Sequence, residues 1–137
     1  MKSLATHSIR ITMAHVDAAG LIFFPRLYDL CESALEVFFE AIFAKNFHTV
    51  IFQQKQATII VHSEADYKKP IRLGDHIKVV VACTHVGTTS FTIHYKMYNT
   101  KEVFVAEAKT VHVLIDLVTF EKVKISDEWR SKILADS

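Results

Sequence analysis

Residues 15–42 read HVDAAGLIFFPRLYDLCESALEVFFEAI, and this stretch predicts the one long helix of the chain. From Pro25 onward, apolar residues recur at intervals of three and four, which is typical of a helix with one buried face. These residues are Leu27, Leu30, Cys31, Ala34, Phe38, Ala41 and Ile42. Proline suits the first helical turn, because the N–H that it lacks would have no intrahelical partner there. The sequence therefore predicts a helix of roughly five turns whose apolar stripe must pack against another layer.

The other layer has to come from strands. Ile9, Ile11 and Met13 alternate with polar or small neighbours, as in a half-buried strand. Four later segments are long, rich in β-branched and aromatic residues, and separated by short turns. They are residues 57–67, 75–86, 88–99 and 102–116. Short turns favour antiparallel pairing, so we expect an α+β fold with one helix laid across an antiparallel sheet of about five strands. Ser126 is in position to cap a short terminal helix.

Length and composition limit the class of protein. The 137 residues suffice for a single domain, residues 1–137, with one core. Its 16 basic and 15 acidic residues are interspersed, which argues against a nucleic-acid-binding surface. No apolar run approaches the roughly 18 residues that span a membrane, and the N-terminus lacks a secretion signal, so we expect a cytoplasmic protein. Cys31 and Cys83 form no disulfide framework and are expected to be buried and reduced.

Glycine and histidine spacing excludes several kinds of site. The three glycines, Gly20, Gly74 and Gly87, are too far apart for a Rossmann or P-loop phosphate cradle or for a nucleophile elbow. The eight histidines lack metalloprotease spacing, and no cysteine pair accompanies them. We therefore expect no metal site.

A single helix covers only one face of the predicted sheet. An exposed strand edge or apolar patch tends to be closed by a partner chain. We therefore expect a homo-oligomer, either a dimer or a tetramer.

Asp17 lies between the first strand and the long helix. Backbone N–H groups at the start of a helix lack intrahelical partners and can polarise a carbonyl group. A carboxylate held near them could act on that carbonyl as a general base or a nucleophile. The alternative is that Asp17 only caps a turn or the helix start, and position alone favours this alternative.

Two motifs carry a family resemblance. Residues 15–34, HVDAAGLIFFPRLYDLCESA, resemble the opening of the 4-hydroxybenzoyl-CoA thioesterase family, which adopts the hotdog fold. Residues 61–75, VHSEADYKKPIRLGD, resemble the second strand of that family and the turn after it, and the likeness continues to about residue 125. The pattern V-H-x-x-x-D-(F/Y) from Val61 to Tyr67 is similar to that of dihydroxynaphthoyl-CoA hydrolases of the same fold family. The resemblance implies a hotdog thioesterase that acts on acyl-CoA.

The resemblance also assigns roles to residues. It implies that Asp17 is the catalytic carboxylate and that the backbone N–H of Phe24 polarises the thioester carbonyl. The substrate-binding residues that it implies are Gly20, Leu21, Phe23, Tyr28, Glu32, His62, Lys68, Lys69, Arg72, Thr89 and Ser90. Active sites of the family lie at the dimer interface, so the second subunit is expected to contribute residues.

Each of these assignments has a structural alternative. Leu21 and Phe23 could be plain core, Glu32 could lie on a solvated helix face, and His62 could be a hydrogen-bonded core histidine. The cations Lys68, Lys69 and Arg72 could pair with the phosphates of CoA or form a solvated basic turn.

The chain also departs from the family at two places. His15 stands where many relatives carry a further acid, and it could alter the electrostatics around Asp17 or be an ordinary, partly exposed residue. Arg26 and Leu27, followed by Tyr28, stand where relatives often have a tyrosine in the first helical turn. The role of a tyrosine in this turn is therefore open.

The favoured function is hydrolysis of an acyl-CoA to a free acid and CoA, without a metal or redox cofactor. Aromatic acyl groups, such as hydroxybenzoyl or dihydroxynaphthoyl, are the preferred class, and CoA is part of the substrate. One alternative is a thioesterase that acts on acyl-carrier protein. Another is a non-catalytic acyl-binding protein in which Asp17 only caps the helix. A hotdog dehydratase fits less well, because it would need a histidine base in the place of Asp17.

Overall fold

The computed structural model describes residues 4–46, 49 and 55–134. The strands are β1 (Leu4–Arg10), β2 (Gln56–Tyr67), β3 (His76–Val86), β4 (Ser90–Tyr98) and β5 (Phe104–Asp116). A 3-10 turn (Phe24–Arg26) leads directly into helix α1 (Leu27–Phe43), and a short helix α2 (Asp127–Ile133) follows the sheet. The predicted α+β architecture is confirmed, and the last four strands lie within two residues of their predicted ends.

The five strands form one antiparallel sheet in the order β1-β3-β4-β5-β2. The consecutive strands β3, β4 and β5 make up its centre, because short turns bring sequence neighbours together. The two strands from the N-terminal half lie at the edges. Among the described residues, β1 pairs with β3 alone and β2 with β5 alone, so each has one open side.

Helix α1 packs its apolar stripe against the sheet. Its buried residues are Leu27, Leu30, Cys31, Ala34, Leu35, Phe38, Phe39 and Phe43. The predicted stripe was wrong at Ala41, which is exposed, whereas Ile42 is half-buried and packs against the core. The buried face continues through Phe39 and Phe43 instead, because these aromatic rings meet Trp129 of α2.

Phe39 is the centre of an aromatic cluster. Its ring centroid lies 5.8 Å from that of Phe38 and 6.0 Å from that of Phe43 on the same helix. It also lies 5.8 Å from Phe91 of β4 and 6.0 Å from Trp129. The cluster therefore joins α1, the sheet and α2 in one core.

Two smaller predictions are confirmed next to this core. Ser126 caps α2, because its hydroxyl accepts a hydrogen bond from the Trp129 N–H at 3.1 Å. Cys31 and Cys83 are both free and buried.

The first strand ends earlier than predicted. Ile11 is fully buried, but Met13 is 80% exposed, so the expected inward alternation of Met13 was wrong. The chain turns after Arg10, where the His15 N–H donates to the Thr12 carbonyl at 2.9 Å. The ring nitrogen Nδ1 of His15 accepts from the Thr12 N–H, also at 2.9 Å. These bonds close a turn that rotates Met13 out of the sheet.

A bulge in β2 decides which face its residues occupy. The register shifts between Ile60, which lies opposite His112, and His62, which lies opposite Val111. Directly opposite residues share a face of the sheet. His112 stacks on Phe91, which contacts Phe39 of α1, so Ile60 lies on the helix side and His62 on the outer side.

Within residues 4–46, 49 and 55–134, no helix is both long enough and apolar enough to cross a bilayer.

Candidate active site

The connection between β1 and α1 folds as a small hairpin. The Asp17 N–H donates to the Leu21 carbonyl and the Phe23 N–H to the His15 carbonyl, each at 2.9 Å. Gly20 forms the tip with a φ of 76°, a left-handed conformation that glycine adopts without a steric penalty. The glycine after Asp17 therefore serves the turn that carries the carboxylate.

This hairpin is attached to the segment that follows β2. The Ile22 N–H donates to the Ile71 carbonyl at 2.8 Å, and the Leu73 N–H donates to the Gly20 carbonyl at 2.9 Å. Ile71 is completely buried. The two motifs that carry the family resemblance are therefore hydrogen-bonded to each other.

The carboxylate of Asp17 is exposed, and one of its oxygens is occupied. Oδ1 accepts from the Ala19 N–H at 2.9 Å and from the Leu21 N–H at 3.4 Å. Among the residues that the structure describes, Oδ2 has no hydrogen-bond partner. Asp17 thus caps its own turn through Oδ1, while Oδ2 remains free to act on a bound molecule.

Phe24 begins the 3-10 turn just after the hairpin. No side chain caps this turn, and the Phe24 N–H has no partner within the described part of the chain. The hydroxyl of Tyr67 donates a hydrogen bond to the Phe24 carbonyl. The free N–H is therefore a donor of the kind that could polarise a carbonyl oxygen.

An open cavity of about 330 Å³ lies beside the hairpin. It is lined by Leu21, Ile22, Tyr67, Lys68, Lys69, Pro70 and Ile71. The N–H groups of Lys68 and Lys69 both donate to the Val105 carbonyl, at 2.8 and 3.0 Å, which fixes the turn after β2. Both lysines are exposed, and neither makes an ion pair with another described residue. The cavity thus combines an apolar wall with a cationic rim.

Arg72 belongs to the same region, because it pairs with Leu21 of the hairpin and its side chain is exposed. Its own N–H donates to the Asp75 carboxylate at 2.8 Å. This bond closes the turn that leads into β3.

Tyr28 and Glu32 extend the region along α1. Tyr28 is half-buried, and it raises the pKa of Tyr67, although burial of the Tyr67 phenol is the larger cause. Glu32 lies one turn further along. Desolvation by the surrounding protein atoms raises the pKa of the Glu32 carboxyl group. The negative charges of Glu36 and, to a smaller extent, Asp29 raise it further. The side chain of Glu32 is nevertheless exposed in the single chain, which agrees with the alternative that it lies on a solvated helix face.

Of the predicted substrate-binding residues, Leu21, Lys68 and Lys69 line the cavity, whereas His62, Thr89 and Ser90 lie on the outer face of the sheet or at the β3–β4 turn. His62 is exposed on the outer side of the sheet, where its Nε2 lies 3.1 Å from a carboxylate oxygen of Glu64, so it is not a core histidine. Thr89 and Ser90 lie at the β3–β4 turn, where β4 begins. Their roles in substrate binding stay predictions.

One buried row of hydrogen-bonded polar side chains was not predicted from the sequence. The Tyr95 and Thr110 hydroxyls lie 2.9 Å apart, and the Thr110 hydroxyl lies 2.7 Å from Nε2 of His112. All three side chains are almost fully buried. Strand alternation places them inward, but it does not distinguish a polar chain from ordinary core.

Tyr67 was also missed as a site residue, although it was part of the pattern from Val61 to Tyr67. The described residues contain no group of three or more His, Cys, Asp or Glu side chains that could hold a metal ion.

Comparison with known proteins identifies the family from nearly the whole chain. The match to the family pattern runs over residues 11–133, which include the hairpin, the helix and the cavity. The chain belongs to the Thioesterase-like superfamily. The predicted enzyme class, a thioester hydrolase, is thereby confirmed.

Individual members of the superfamily are similar over most of their length. A 1,4-dihydroxy-2-naphthoyl-CoA hydrolase of Nostoc punctiforme is 32% identical over 125 residues, covering 90% of this chain and 82% of the relative. An enzyme of the same name from Rippkaea orientalis is 32% identical over 122 residues, covering 85% and 86%. The crystal structure of a 1,4-dihydroxy-2-naphthoyl-CoA thioesterase from Synechocystis superposes with a TM-score of 0.84 at 23% identity, covering 96% of each chain. The predicted hotdog fold is confirmed.

Proposed function

We propose that this member of the Thioesterase-like superfamily hydrolyses an aromatic acyl-CoA of the dihydroxynaphthoyl-CoA type to the free acid and CoA, as a single domain. The observation that carries the proposal is the hairpin, which holds the Asp17 carboxylate and ends at the Phe24 N–H; neither Oδ2 of Asp17 nor this N–H has a partner among the described residues. Leu21, which donates to the Asp17 carboxylate, and Tyr67, which donates to the Phe24 carbonyl, both line the cavity with the apolar wall and cationic rim. The names of the similar enzymes support dihydroxynaphthoyl as the acyl group.

The chemistry assigns one role to each group. Asp17 acts through Oδ2, either as a general base that takes a proton from water or as a nucleophile that attacks the thioester carbonyl. As the new C–O bond forms, negative charge develops on the carbonyl oxygen and is stabilised by the Phe24 N–H. The C–S bond then breaks and CoA leaves as a thiolate, which gains the proton held by Asp17 in the general-base route and a proton from solvent water in the nucleophilic route. In the nucleophilic route, water hydrolyses the acyl-Asp17 intermediate and restores the carboxylate.

The cations of the rim suit the other half of the substrate. CoA carries phosphates, and lysine and arginine side chains bind phosphate through charge-assisted hydrogen bonds. Lys68, Lys69 and Arg72 are exposed and lie next to the hairpin. We assign them to the CoA phosphates, with the thioester directed toward Asp17.

The acyl group would lie against the apolar residues of the hairpin and the first turns of α1. Leu21 and Phe23 provide apolar surface, and Tyr28 adds an aromatic ring. Glu32 can bond a substrate hydroxyl, and its raised pKa favours sharing a proton with such a group. A hydroxylated aromatic acyl group matches this combination better than a plain fatty chain.

The active form is proposed to be a homo-oligomer built on the open edge of β2. The outward residues of β1, at the other edge, are polar: Thr6, Ser8 and Arg10. The β2 edge instead exposes Ile59, Ile60 and Val61, with Val61 56% exposed. An apolar, unpaired edge favours pairing with a second copy. In such a dimer His62, Thr89 or Ser90 of the second copy could complete the site.

The proposal is tested by thiol release from benzoyl-, hydroxybenzoyl-, phenylacetyl-, dihydroxynaphthoyl- and fatty acyl-CoA. Asp17→Asn keeps an oxygen that can accept from the Ala19 N–H, so the fold should survive while turnover falls at least about a hundredfold. Asp116→Asn is the matched control. The Asp116 carboxylate also caps a turn, accepting from the Val118 and Thr119 N–H groups at 2.7 and 2.9 Å, but it lies at the far end of β5.

The outcomes separate the candidate functions. Turnover that is lost in Asp17→Asn alone supports the proposal, and the best substrate identifies the acyl group. Turnover that needs an acyl-carrier protein in place of CoA would indicate the carrier-protein thioesterase. A wild type that binds acyl-CoA without turnover, with an affinity that Asp17→Asn retains, would indicate a non-catalytic binding protein.

A further inference from the structure

Tyr67 joins the sheet to the residue that carries the proposed carbonyl-polarising group. Tyr67 is the last residue of β2, and its hydroxyl donates a hydrogen bond to the carbonyl of Phe24, 43 positions earlier in the chain. The N–H of this same Phe24 is the donor assigned to the thioester oxygen. A hydrogen bond that holds the Phe24 carbonyl therefore also influences the direction in which the Phe24 N–H points.

At the sheet end of this link, the backbone around Tyr67 is paired with β5. Tyr67 lies opposite Ala106, which is fully buried in β5. The next two residues, Lys68 and Lys69, both donate their N–H groups to the Val105 carbonyl. The backbone that carries the Tyr67 ring is therefore held by β5 on both sides of the strand end.

At the Phe24 end, the same carbonyl also accepts a hydrogen bond from the Leu27 N–H within the 3-10 turn, but this bond does not reach the sheet. The ladder of the hairpin ends at the bond from the Phe23 N–H to the His15 carbonyl. Pro25 has no N–H, and the Arg26 N–H donates back to Phe23 at 2.7 Å rather than to the sheet. The side chain of Phe24 is 69% exposed, so core packing does not fix it. Among the described residues, the Tyr67 hydroxyl gives the Phe24 backbone its hydrogen bond to the sheet.

We infer that Tyr67 is a positioning residue for the thioesterase reaction, holding Phe24 so that its N–H points at the oxygen of the scissile thioester. This role rests on the proposed function. The side chain of Tyr67 is 44% exposed, and its partial burial, with Tyr28 and Cys31 nearby, raises the pKa of the phenol, so its hydroxyl remains a donor throughout the neutral pH range. Tyr67 also lines the cavity, which puts the link next to the proposed substrate site.

The test is Tyr67→Phe, which removes the hydroxyl and keeps the ring that lines the cavity. We expect kcat for the best acyl-CoA to fall about tenfold, because the donor is misaligned rather than removed. KM should stay within about twofold, because the cationic rim and the apolar wall are unchanged. Tyr98→Phe is the matched control. It removes a phenol from β4, where the ring contacts Lys78 and Phe104 and does not line the cavity.

A spectroscopic measurement reports the bond itself. The carbonyl-carbon resonance of Phe24 should move in Tyr67→Phe and stay in place in Tyr98→Phe, because loss of a hydrogen bond changes the shielding of that carbon. The thermal unfolding midpoints of the two variants should agree. A much lower midpoint for Tyr67→Phe would identify a purely structural residue and overturn the inference.

The kinetic outcomes distinguish this inference from the function on which it rests. If the wild type is active and Tyr67→Phe keeps its kcat, with or without a raised KM, the positioning role is overturned and the proposed function stays intact. An unmoved Phe24 resonance would do the same. A wild type that hydrolyses none of the thioesters would overturn the proposed function and the positioning role together.

Discussion

The imidazole ring of His112 stacks on the ring of Phe91, with centroids 4.9 Å apart and planes 2° from parallel. Nε2 of His112 is bonded to Thr110, but Nδ1 has no hydrogen-bond partner among the described residues and no contact with solvent. Burial lowers the pKa of His112 from 6.5 to about 4. A buried ring with one unsatisfied nitrogen is therefore kept neutral by the fold.

This histidine should make the protein sensitive to acid. Between pH 6.5 and about pH 4 the unfolded chain binds a proton at His112 that the folded chain does not. Above pH 6.5, His112 should therefore have no effect on the free energy of unfolding. As the pH falls from 6.5 toward 4, His112 should lower this free energy, by about 3 kcal/mol at most. Urea titrations across this range measure the decrease, and His112→Gln should reduce it.

The control for this prediction is His76→Gln, which removes an exposed histidine from the start of β3. It should keep the wild-type dependence on pH. If His112→Gln and His76→Gln gave the same profile as the wild type, His112 would not be the group responsible.

The open edge of β2 gives a prediction about assembly. Val61→Asp places a charge in the exposed apolar part of this edge, and a charge there opposes pairing with another strand. The wild type should have a mass in solution of at least about 31 kDa, twice the 15.6 kDa of one chain, and the variant should approach 15.6 kDa. Light scattering during size-exclusion chromatography measures both masses.

Val118→Asp provides the comparison, because Val118 is 74% exposed but lies in the turn after β5. It should assemble like the wild type. Retention of the wild-type mass by Val61→Asp would assign the contact to another surface.

The cationic rim predicts a change in substrate affinity. In the double variant Lys68→Ala/Lys69→Ala we expect KM for the acyl-CoA to rise about tenfold and kcat to change little, because exposed charge pairs contribute roughly 0.5–1 kcal/mol each. Added salt should raise the wild-type KM more than that of the variant. Steady-state kinetics at two ionic strengths test both statements.

The matched double variant is Lys122→Ala/Lys124→Ala, which removes two exposed lysines beyond β5. Its KM should equal that of the wild type. Equal effects of the two double variants would point to net charge rather than a phosphate site.

The aromatic cluster predicts a large contribution of Phe39 to stability. Its ring contacts those of Phe38, Phe43, Phe91 and Trp129 among the described residues and is fully buried, so Phe39→Ala should lower the free energy of unfolding by about 3–5 kcal/mol. Phe120→Ala should change it by about 0.5 kcal/mol or less, because the Phe120 ring is 71% exposed. Chemical denaturation of both variants makes the comparison, and similar values would contradict the assigned core.

The sequence predicted those parts of the fold that depend on local patterns. The period of α1, the four long strands and the Ser126 cap all follow from residues close in the chain, and the structure agrees with them. Met13 departed from its pattern because the bonds between Thr12 and His15 close a turn that alternation does not reveal.

The site was less predictable because it depends on contacts between distant segments. The bulge between Ile60 and His62 reverses the face that His62 occupies, and no residue type in that stretch signals the extra position. The bond from Tyr67 to Phe24 likewise joins two motifs that are individually visible in the sequence. Neither motif indicates the other as its partner.

The strand order also sets when the molecule can fold during its synthesis. Each edge strand pairs with a strand made much later: Leu4 lies opposite Ala82, and Gln56 lies opposite Asp116. The helix and both edge strands therefore leave the ribosome before the central strands that they contact exist. A nascent chain must keep the apolar face of α1 out of other contacts until β5 has emerged, so this early segment is where chaperone binding is most useful.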